Sequence, residues 1–105
     1  MPSIGFTVLK DKILSGEKRQ TIRRHRKRPV EVGDTLYLYW HLRRKDCELL
    51  KVVKCVETFT KPWGMLRESD DVAKRDGFES KSAMRKWFGK IHNPDTMMLF
   101  DVIRW

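Results

Sequence analysis

Apolar residues recur at helical spacing in two parts of the chain. Before Gly16, a natural helix stop, four apolar residues can share one helical face: Phe6, Leu9, Ile13 and Leu14. The segment SKSAMRKWFGKIH has the clearest helical spacing, formed by Met84, Trp87, Phe88 and Ile91. The pattern therefore predicts a short helix before Gly16 and a longer amphipathic helix in the last third of the chain.

Other segments have the composition of strands. Residues 35–41 are rich in aromatic and β-branched side chains, and they follow the turn residues Gly33 and Asp34. After the polar turn RRKDCE, residues 49–60 predict a second long strand, antiparallel to the first. The C-terminal segment MMLFDVIRW predicts a further strand.

A third, short helix is indicated by its ends. Ser69 can cap the N-terminus, Gly77 can end the helix, and Phe78 can fold back onto it. A chain of 105 residues fits one domain, residues 1–105. These elements predict an α+β domain: a small, partly open β-barrel or curled sheet with two or three helices.

Charge indicates the kind of partner. The formal net charge is +9, and 40% of the residues are hydrophobic, which is a globular composition. An excess of positive charge favours a polyanionic partner, although it does not determine the fold.

Neither the cysteines nor the apolar runs indicate a metal, a cofactor or a membrane. Cys47 and Cys55 form no CxxC pair, so we expect an intracellular, cytoplasmic protein with free thiols; a cross-strand disulfide between them is the alternative. The N-terminus lacks the apolar core of a secretory signal, and no run approaches the roughly 20 residues of a membrane span.

The densest basic run is GEKRQTIRRHRKR, from Gly16 to Arg28. In a strand, Arg23 would share a face with Thr21, while Ile22 would point into the core. Residues 25–28 carry too much charge for burial and predict an exposed loop. The residues that we expect to bind phosphates here are Arg23, Arg24, Arg26, Lys27 and Arg28; the alternative is a solvated basic loop.

A second basic group follows the first predicted strand. Arg43, Arg44 and Lys45 lie in the turn beyond Tyr39 and Trp40. Bases stack on aromatic rings while phosphates bind Arg and Lys, so this mixture suits single-stranded RNA. The alternative is that Trp40 belongs to the core.

Within the first basic run, Lys18 and Thr21 can carry chemistry. A threonine hydroxyl becomes a nucleophile when a base removes its proton, and Lys18 is three residues away. Neighbouring cations and partial burial both lower a lysine pKa, which otherwise lies near 10.4. Thr21, Lys18 and Arg23 could then act as nucleophile, base and oxyanion donor.

The chain contains the motif G-x-K-x-x-T-I-R, a V-G-D turn and the segments AKRDGF and FDVIRW. Through these features it resembles the ASCH family (activating signal cointegrator homology) from about Phe6 to Trp105. The resemblance implies a PUA-like β-barrel of about five or six strands whose pocket faces RNA or a modified nucleoside. Some small members are amidohydrolases that deacetylate N(4)-acetylcytidine with a Lys, a Thr and a downstream Glu. The matching positions are Lys18, Thr21 and Asp76, so the third residue is one methylene shorter here.

Three functions follow as expectations. The first is binding of single-stranded RNA or a modified nucleoside in a basic pocket; the long basic run favours RNA over a free, uncharged nucleoside. The second is N(4)-acetylcytidine hydrolysis by Lys18, Thr21 and Asp76. The third, ranked last, is a ribonuclease that uses His25, His41 or His92, since another member of the family is described as one. The sequence does not identify a protein partner.

Overall fold

The computed structural model describes residues 3–25, 29–91 and 94–105. Strands and helices follow one another in the order β1 (Ser3–Phe6), α1 (Lys10–Ser15), β2 (Gln20–Arg24), β3 (Thr35–Trp40), β4 (Glu48–Lys54), β5 (Glu57–Pro62), α2 (Trp63–Leu66), α3 (Asp70–Arg75), α4 (Lys81–Ile91) and β6 (Leu99–Arg104).

The six strands form two sheets of three. One sheet has the order β1-β3-β4 and the other β2-β6-β5. Strands β1 and β3 are parallel, and the other neighbours are antiparallel. The α+β class is confirmed, and over the described residues the hydrogen bonds form two sheets and no closed barrel. The same residues form four helices, where two or three were predicted, because the chain makes an additional single turn at α2.

The predicted long strand over residues 49–60 is wrong in one respect. It is two strands, β4 and β5, that belong to different sheets. At the junction, Cys55 N–H donates to Asp34 O and Val56 N–H donates to Arg104 O. Successive residues thus bond to different sheets, which local composition does not reveal. Cys55 is buried and Cys47 exposed, and both are free thiols, so the alternative of a disulfide does not hold.

The N-terminal prediction also needs correction. Phe6 lies in β1 and not in the first helix, which begins at Lys10 after Leu9 in the left-handed region (φ 62°). Residues of β1 pair in parallel with β3, for example Ile4 with Leu38. Such long-range pairing overrides the helical spacing of Phe6 with Leu9 and Ile13.

The ends of α3 agree with the prediction. Ser69 Oγ accepts a hydrogen bond from Val72 N–H at 3.2 Å. At the other end, Gly77 has φ 93°, and Phe78 N–H donates to Ala73 O. This is a Schellman motif, and it directs Phe78 back toward the helix.

Two apolar clusters hold the sheets and helices together. Helix α4 contributes buried Met84 and Phe88 to the first cluster, with Trp87 partly buried against it, as the spacing predicts. The second cluster includes Phe6, Ile13 and, from β3, Leu36 and Leu38. The side chain of Ile91 lies outside the described part of the structure. No helix among the described residues is long and apolar enough to cross a membrane.

Substitution of Gly77 tests the end of α3. We expect Gly77→Ala to destabilise the domain by about 1–2 kcal/mol, because a Cβ is strained at φ 93° and would lie 3.3 Å from Leu9 Cδ1. Gly89→Ala is the matched control: Gly89 is exposed in α4 with open space at its Cβ, so alanine should stabilise by up to about 1 kcal/mol. Urea unfolding of both variants measures the difference. Equal changes in stability in the two variants would contradict the role of Gly77 as the residue that ends α3.

Candidate functional site

A cavity of about 330 Å³ lies beside β1 and β2, which are edge strands of the two sheets. It is lined by Gly5, Phe6, Thr7, Val8, Leu9, Lys18, Thr21, Ile22, Arg23, Arg24, Asp76, Phe78, Trp87, Phe88 and Phe100. The cavity therefore brings together all three residues of the proposed catalytic set, Lys18, Thr21 and Asp76, with Arg23 and Arg24 of the basic run.

Backbone hydrogen bonds position Lys18. The segment between α1 and β2 is fixed on both sides, since Lys18 N–H donates to Lys12 O at 3.0 Å and Arg19 N–H donates to Arg75 O at 3.1 Å. Lys12 Nζ donates to Gly77 O at 2.6 Å, which ties α1 to the end of α3. The Lys18 side chain is thereby directed at Asp76.

Lys18 and Asp76 form a buried ion pair. Lys18 Nζ lies 3.0 Å from Asp76 Oδ2 and donates to the backbone oxygen of Asp76 at 2.9 Å. The side chains are 4% and 7% exposed. Aspartate reaches the lysine although it is shorter than the glutamate that the resemblance implies, because α3 ends beside Lys18. Glu79 is exposed and lies outside the cavity lining.

Burial shifts both members of the pair toward their neutral forms. Desolvation lowers the pKa of Lys18, against the attraction of Asp76, and Arg23 adds to the lowering. Desolvation also raises the pKa of Asp76, against the opposing effects of Lys18 and Gln20. The two pKa values therefore move toward each other, which reduces the free-energy difference between the ion pair and the neutral pair.

Arg23 links the two edge strands across the cavity. Its Nε donates to Thr21 Oγ1 at 3.0 Å, and a terminal nitrogen donates to Gly5 O. The guanidinium also lies over the Phe6 ring, 5.1 Å from its centroid. Thr21 is buried, as is its neighbour Ile22 in the first apolar cluster.

The predicted contact between the base, Lys18, and the nucleophile, Thr21, is not formed among the residues that the structure describes. Within the described parts of the chain, no hydrogen bond joins Lys18 to Thr21: the lysine bonds to Asp76, and the threonine accepts from Arg23. Lys18 Nζ has three N–H groups, of which two are used by Asp76. The third remains for the Phe6 face, 5.6 Å from the nitrogen, or for a bound molecule.

One part of the cavity lining, the aromatic wall, is formed by Phe78, Trp87 and Phe88. Phe78 lies 5.9 Å from Trp87 between ring centroids, and Trp87 lies 4.9 Å from Phe88. Phe78 reaches the cavity through the Schellman turn, and Trp87 and Phe88 through the apolar face of α4. The cavity thus offers a planar ligand both aromatic rings and charged groups.

Of the remaining predicted phosphate-binding residues, the described part of the chain places Arg24 alone at the cavity. Arg24 is exposed and lines the cavity, whereas Arg26, Lys27 and Arg28 lie outside the described residues. Arg43, Arg44 and Lys45 are exposed in the turn after β3 and are not part of the cavity lining. That turn nevertheless adjoins the end of β1, because His41 N–H donates to Phe6 O at 2.9 Å.

Trp40 and Tyr39 are both partly buried on β3, outside the cavity lining. Trp40 packs against the second apolar cluster, stacks on His41 at 4.2 Å and has Lys10 Nζ over its ring. These contacts agree with the alternative that Trp40 contributes to the core. Phe78 and Trp87, rather than Tyr39 and Trp40, supply the aromatic surface of the cavity.

Two of the three histidines pair with carboxylates. His25 Nδ1 lies 2.8 Å from buried Asp101 Oδ1, and His41 Nδ1 bonds to Asp46. His92 lies outside the described residues. Neither His25 nor His41 lines the cavity.

One buried residue of the site was missed in the sequence. Gln20 is completely buried, and its amide nitrogen lies 3.4 Å from Asp76 Oδ1. Its position between Lys18 and Thr21, in a chain with a single glutamine, was the only available signal.

The fold is that of an ASCH domain. The crystal structure of an ASCH domain from Lactobacillus crispatus JV V101 is similar with a TM-score of 0.63 and 16% sequence identity, over 98% of this chain and 77% of that one. No family model and no curated protein matches the sequence. The ASCH-like fold predicted from the motifs is therefore confirmed.

Asp76→Asn tests the buried pair. The carboxylate raises the pKa of Lys18 against desolvation, so its loss should lower the pKa of Lys18 further, as followed by NMR of the Lys18 Cε resonance. Removing one partner of a buried pair should also destabilise the domain by about 3 kcal/mol at neutral pH. Because the pKa of Lys18 is lowered in the folded state, Lys18 stays protonated to higher pH in the unfolded chain than in the folded one. The loss of stability in Asp76→Asn should therefore shrink as the pH rises toward 10.5.

The control is Asp11→Asn, the same substitution at an exposed carboxylate in the first turn of α1. It should leave the titration of Lys18 unchanged and alter stability by less than about 1 kcal/mol. A Lys18 titration that is identical in wild type and Asp76→Asn would show that the pair does not determine the protonation of Lys18.

Proposed function

We propose that this domain binds single-stranded RNA by holding one nucleobase, standard or modified, in the cavity beside Lys18 and Asp76. The observation that carries the proposal is the cavity itself, whose lining combines an aromatic wall with charged and hydroxyl groups. Its volume of about 330 Å³ lies at the lower end of the range for small-ligand sites.

The aromatic wall supports a base as the ligand. Unstacked bases bind to proteins by stacking on aromatic rings and by hydrogen bonds to their edges. Phe78 and Trp87 offer the rings. Lys18, Thr21 and Arg23 offer donors, and the hydroxyl of Thr21 and the carboxylate of Asp76 can also accept.

Charge supports RNA over a free nucleoside. The net charge of +9 suits a polyanion. Exposed Arg24 lies at the cavity and belongs to the basic run, so a base in the cavity would place its own phosphate near that arginine. The exposed cations of the turn after β3 adjoin the end of β1 and extend the basic surface. The resemblance to RNA-facing ASCH proteins agrees with this reading.

Salt dependence of binding tests the proposal. With a labelled single-stranded RNA of ten nucleotides, fluorescence anisotropy should show that log K falls with log salt at a slope near −4 if about 6 phosphates are contacted. Arg24→Gln should weaken binding and reduce the slope by about 0.7, the share of one phosphate. Affinity that does not change with salt would contradict the proposal.

The matched control is Arg75→Gln. It removes one positive charge from an exposed position on α3, where Arg75 pairs with Asp71. Its salt slope should equal that of the wild type. Equal losses in both variants would show that only net charge matters. A DNA strand of the same sequence tests the requirement for the 2′-hydroxyl, and DNA that binds equally well would reject selectivity for RNA.

A second candidate function, removal of the acetyl group from N(4)-acetylcytidine, is favoured by one observation: Lys18, Thr21 and Asp76 line one cavity. In this reaction Thr21 Oγ1 would attack the acetyl carbonyl while Lys18, whose pKa is lowered by burial, accepts the hydroxyl proton. Arg23 would donate to the developing oxyanion. The C–N bond breaks, cytidine leaves with the proton, and water then hydrolyses the acetyl ester of Thr21 to acetate.

The expected result is loss of the acetylated absorbance when the protein is incubated with N(4)-acetylcytidine. Thr21→Val keeps the shape but removes the nucleophile, so the rate should fall at least a hundredfold. Thr58→Val, a partly buried threonine of β5 outside the cavity, should retain the wild-type rate. Absence of turnover by the wild type rejects this function and leaves RNA binding untouched.

A further inference from the structure

Gln20 connects the cavity pair to Arg104 at the end of β6. It lies on β2 between Lys18 and Thr21 and has no exposed surface. Its Nε2 donates to Val72 O at 2.9 Å and lies 3.4 Å from Asp76 Oδ1, while its Oε1 accepts from Arg104 Nε at 2.9 Å. Both ends of the amide are thus occupied by groups of three other residues, two at α3 and its C-terminal end and one in β6.

The chemistry of these partners determines which way the amide points. A guanidinium only donates, so the side of Gln20 that faces Arg104 must be the oxygen. A backbone carbonyl only accepts, so the side that faces Val72 must be the NH₂ group. The second N–H of that group is left for Asp76 Oδ1. Rotation of the amide by 180° would place an oxygen against Val72 O and an NH₂ group against Arg104, and is therefore excluded.

Arg104 is itself held in place from the other side. Its Nη1 donates to Glu57 Oε1 at 2.7 Å, and its Nη2 lies 3.7 Å from Asp71 Oδ2. The guanidinium also lies over the Phe59 ring at 4.9 Å, and its side chain is only 11% exposed. A continuous series of contacts therefore runs from a groove at Glu57 and Asp71 through Arg104 and Gln20 to Asp76 and Lys18.

We propose that Gln20 is a positioning residue of the cavity. Arg104 orients the Gln20 amide so that its NH₂ group bonds to Asp76 Oδ1, and Asp76 Oδ2 is thereby left for Lys18. The carboxylate of Asp76 then has a donor on each oxygen. With both oxygens engaged, the carboxylate plane is fixed, and Lys18 Nζ stays at the cavity surface. The effect of this arrangement on ligand affinity rests on the proposed function; its effect on Asp76 does not.

Titration of Asp76 without ligand tests the proposal. A hydrogen bond to a carboxylate favours its charged form, so its removal in Gln20→Met should raise the Asp76 midpoint, followed by NMR of the Asp76 Cγ resonance. At 3.4 Å the bond is long, and we expect a shift of about half a pH unit. Arg104→Met retains Gln20 but loosens its orientation, and should raise the midpoint by a smaller amount. This variant also serves if Gln20→Met does not fold.

The control is Arg75→Met. Arg75 and Arg104 both contact Asp71, but only Arg104 contacts Gln20. Arg75→Met should leave the Asp76 midpoint at its wild-type value. An unchanged midpoint in Gln20→Met, or in Arg104→Met when Gln20→Met does not fold, would overturn the proposal, as would equal shifts in Arg75→Met and Arg104→Met.

RNA affinity gives an independent readout. If the proposed function holds, Gln20→Met should weaken binding of the RNA about threefold without changing the salt slope, because no phosphate contact is lost. A changed slope would overturn the positioning role. If the wild type does not bind RNA, the proposed function fails, and the titration of Asp76 still decides the role of Gln20.

Discussion

A lysine and an aspartate that are almost completely removed from water are the constraint on which this site depends. Neither charge is tolerated there without the other, because burial disfavours both ionised forms. The surrounding backbone is organised to bring them together: the end of α3 presents Asp76, and hydrogen bonds to Lys12 and Arg75 fix the segment that carries Lys18. The Schellman turn at Gly77 places Phe78 in the same cavity.

The two sheets explain why a cavity exists here. The edge strands β1 and β2 bound it, and Arg23 links them by bonding to Gly5 O and Thr21 Oγ1. The other wall comes from α3 and α4, whose apolar residues also belong to the first core cluster. The cavity lining therefore combines an extension of the core with a concentration of charge. Such a combination suits a ligand with an aromatic face and polar edges.

Local signals predicted much of this arrangement. The caps at Ser69 and Gly77 and the apolar face of α4 follow from residues close in sequence, and the motif with Lys18 and Thr21 does lie at the cavity. The failures are long-range. The parallel pairing of β1 with β3 was missed, and Gln20 bonds to Arg104 across 84 residues. One sequence carries no record of such pairings, since neither composition nor spacing requires them.

The central claim is that a nucleobase occupies the cavity beside the buried pair. Intermolecular nuclear Overhauser effects between the base protons of a bound oligoribonucleotide and the ring protons of the domain test it most directly. The account predicts contacts from one base to Phe78 and Trp87, the aromatic wall of the cavity. Contacts confined to exposed side chains such as Arg24, Arg43 and Arg44 would show that RNA binds to the basic surface alone and would contradict the account.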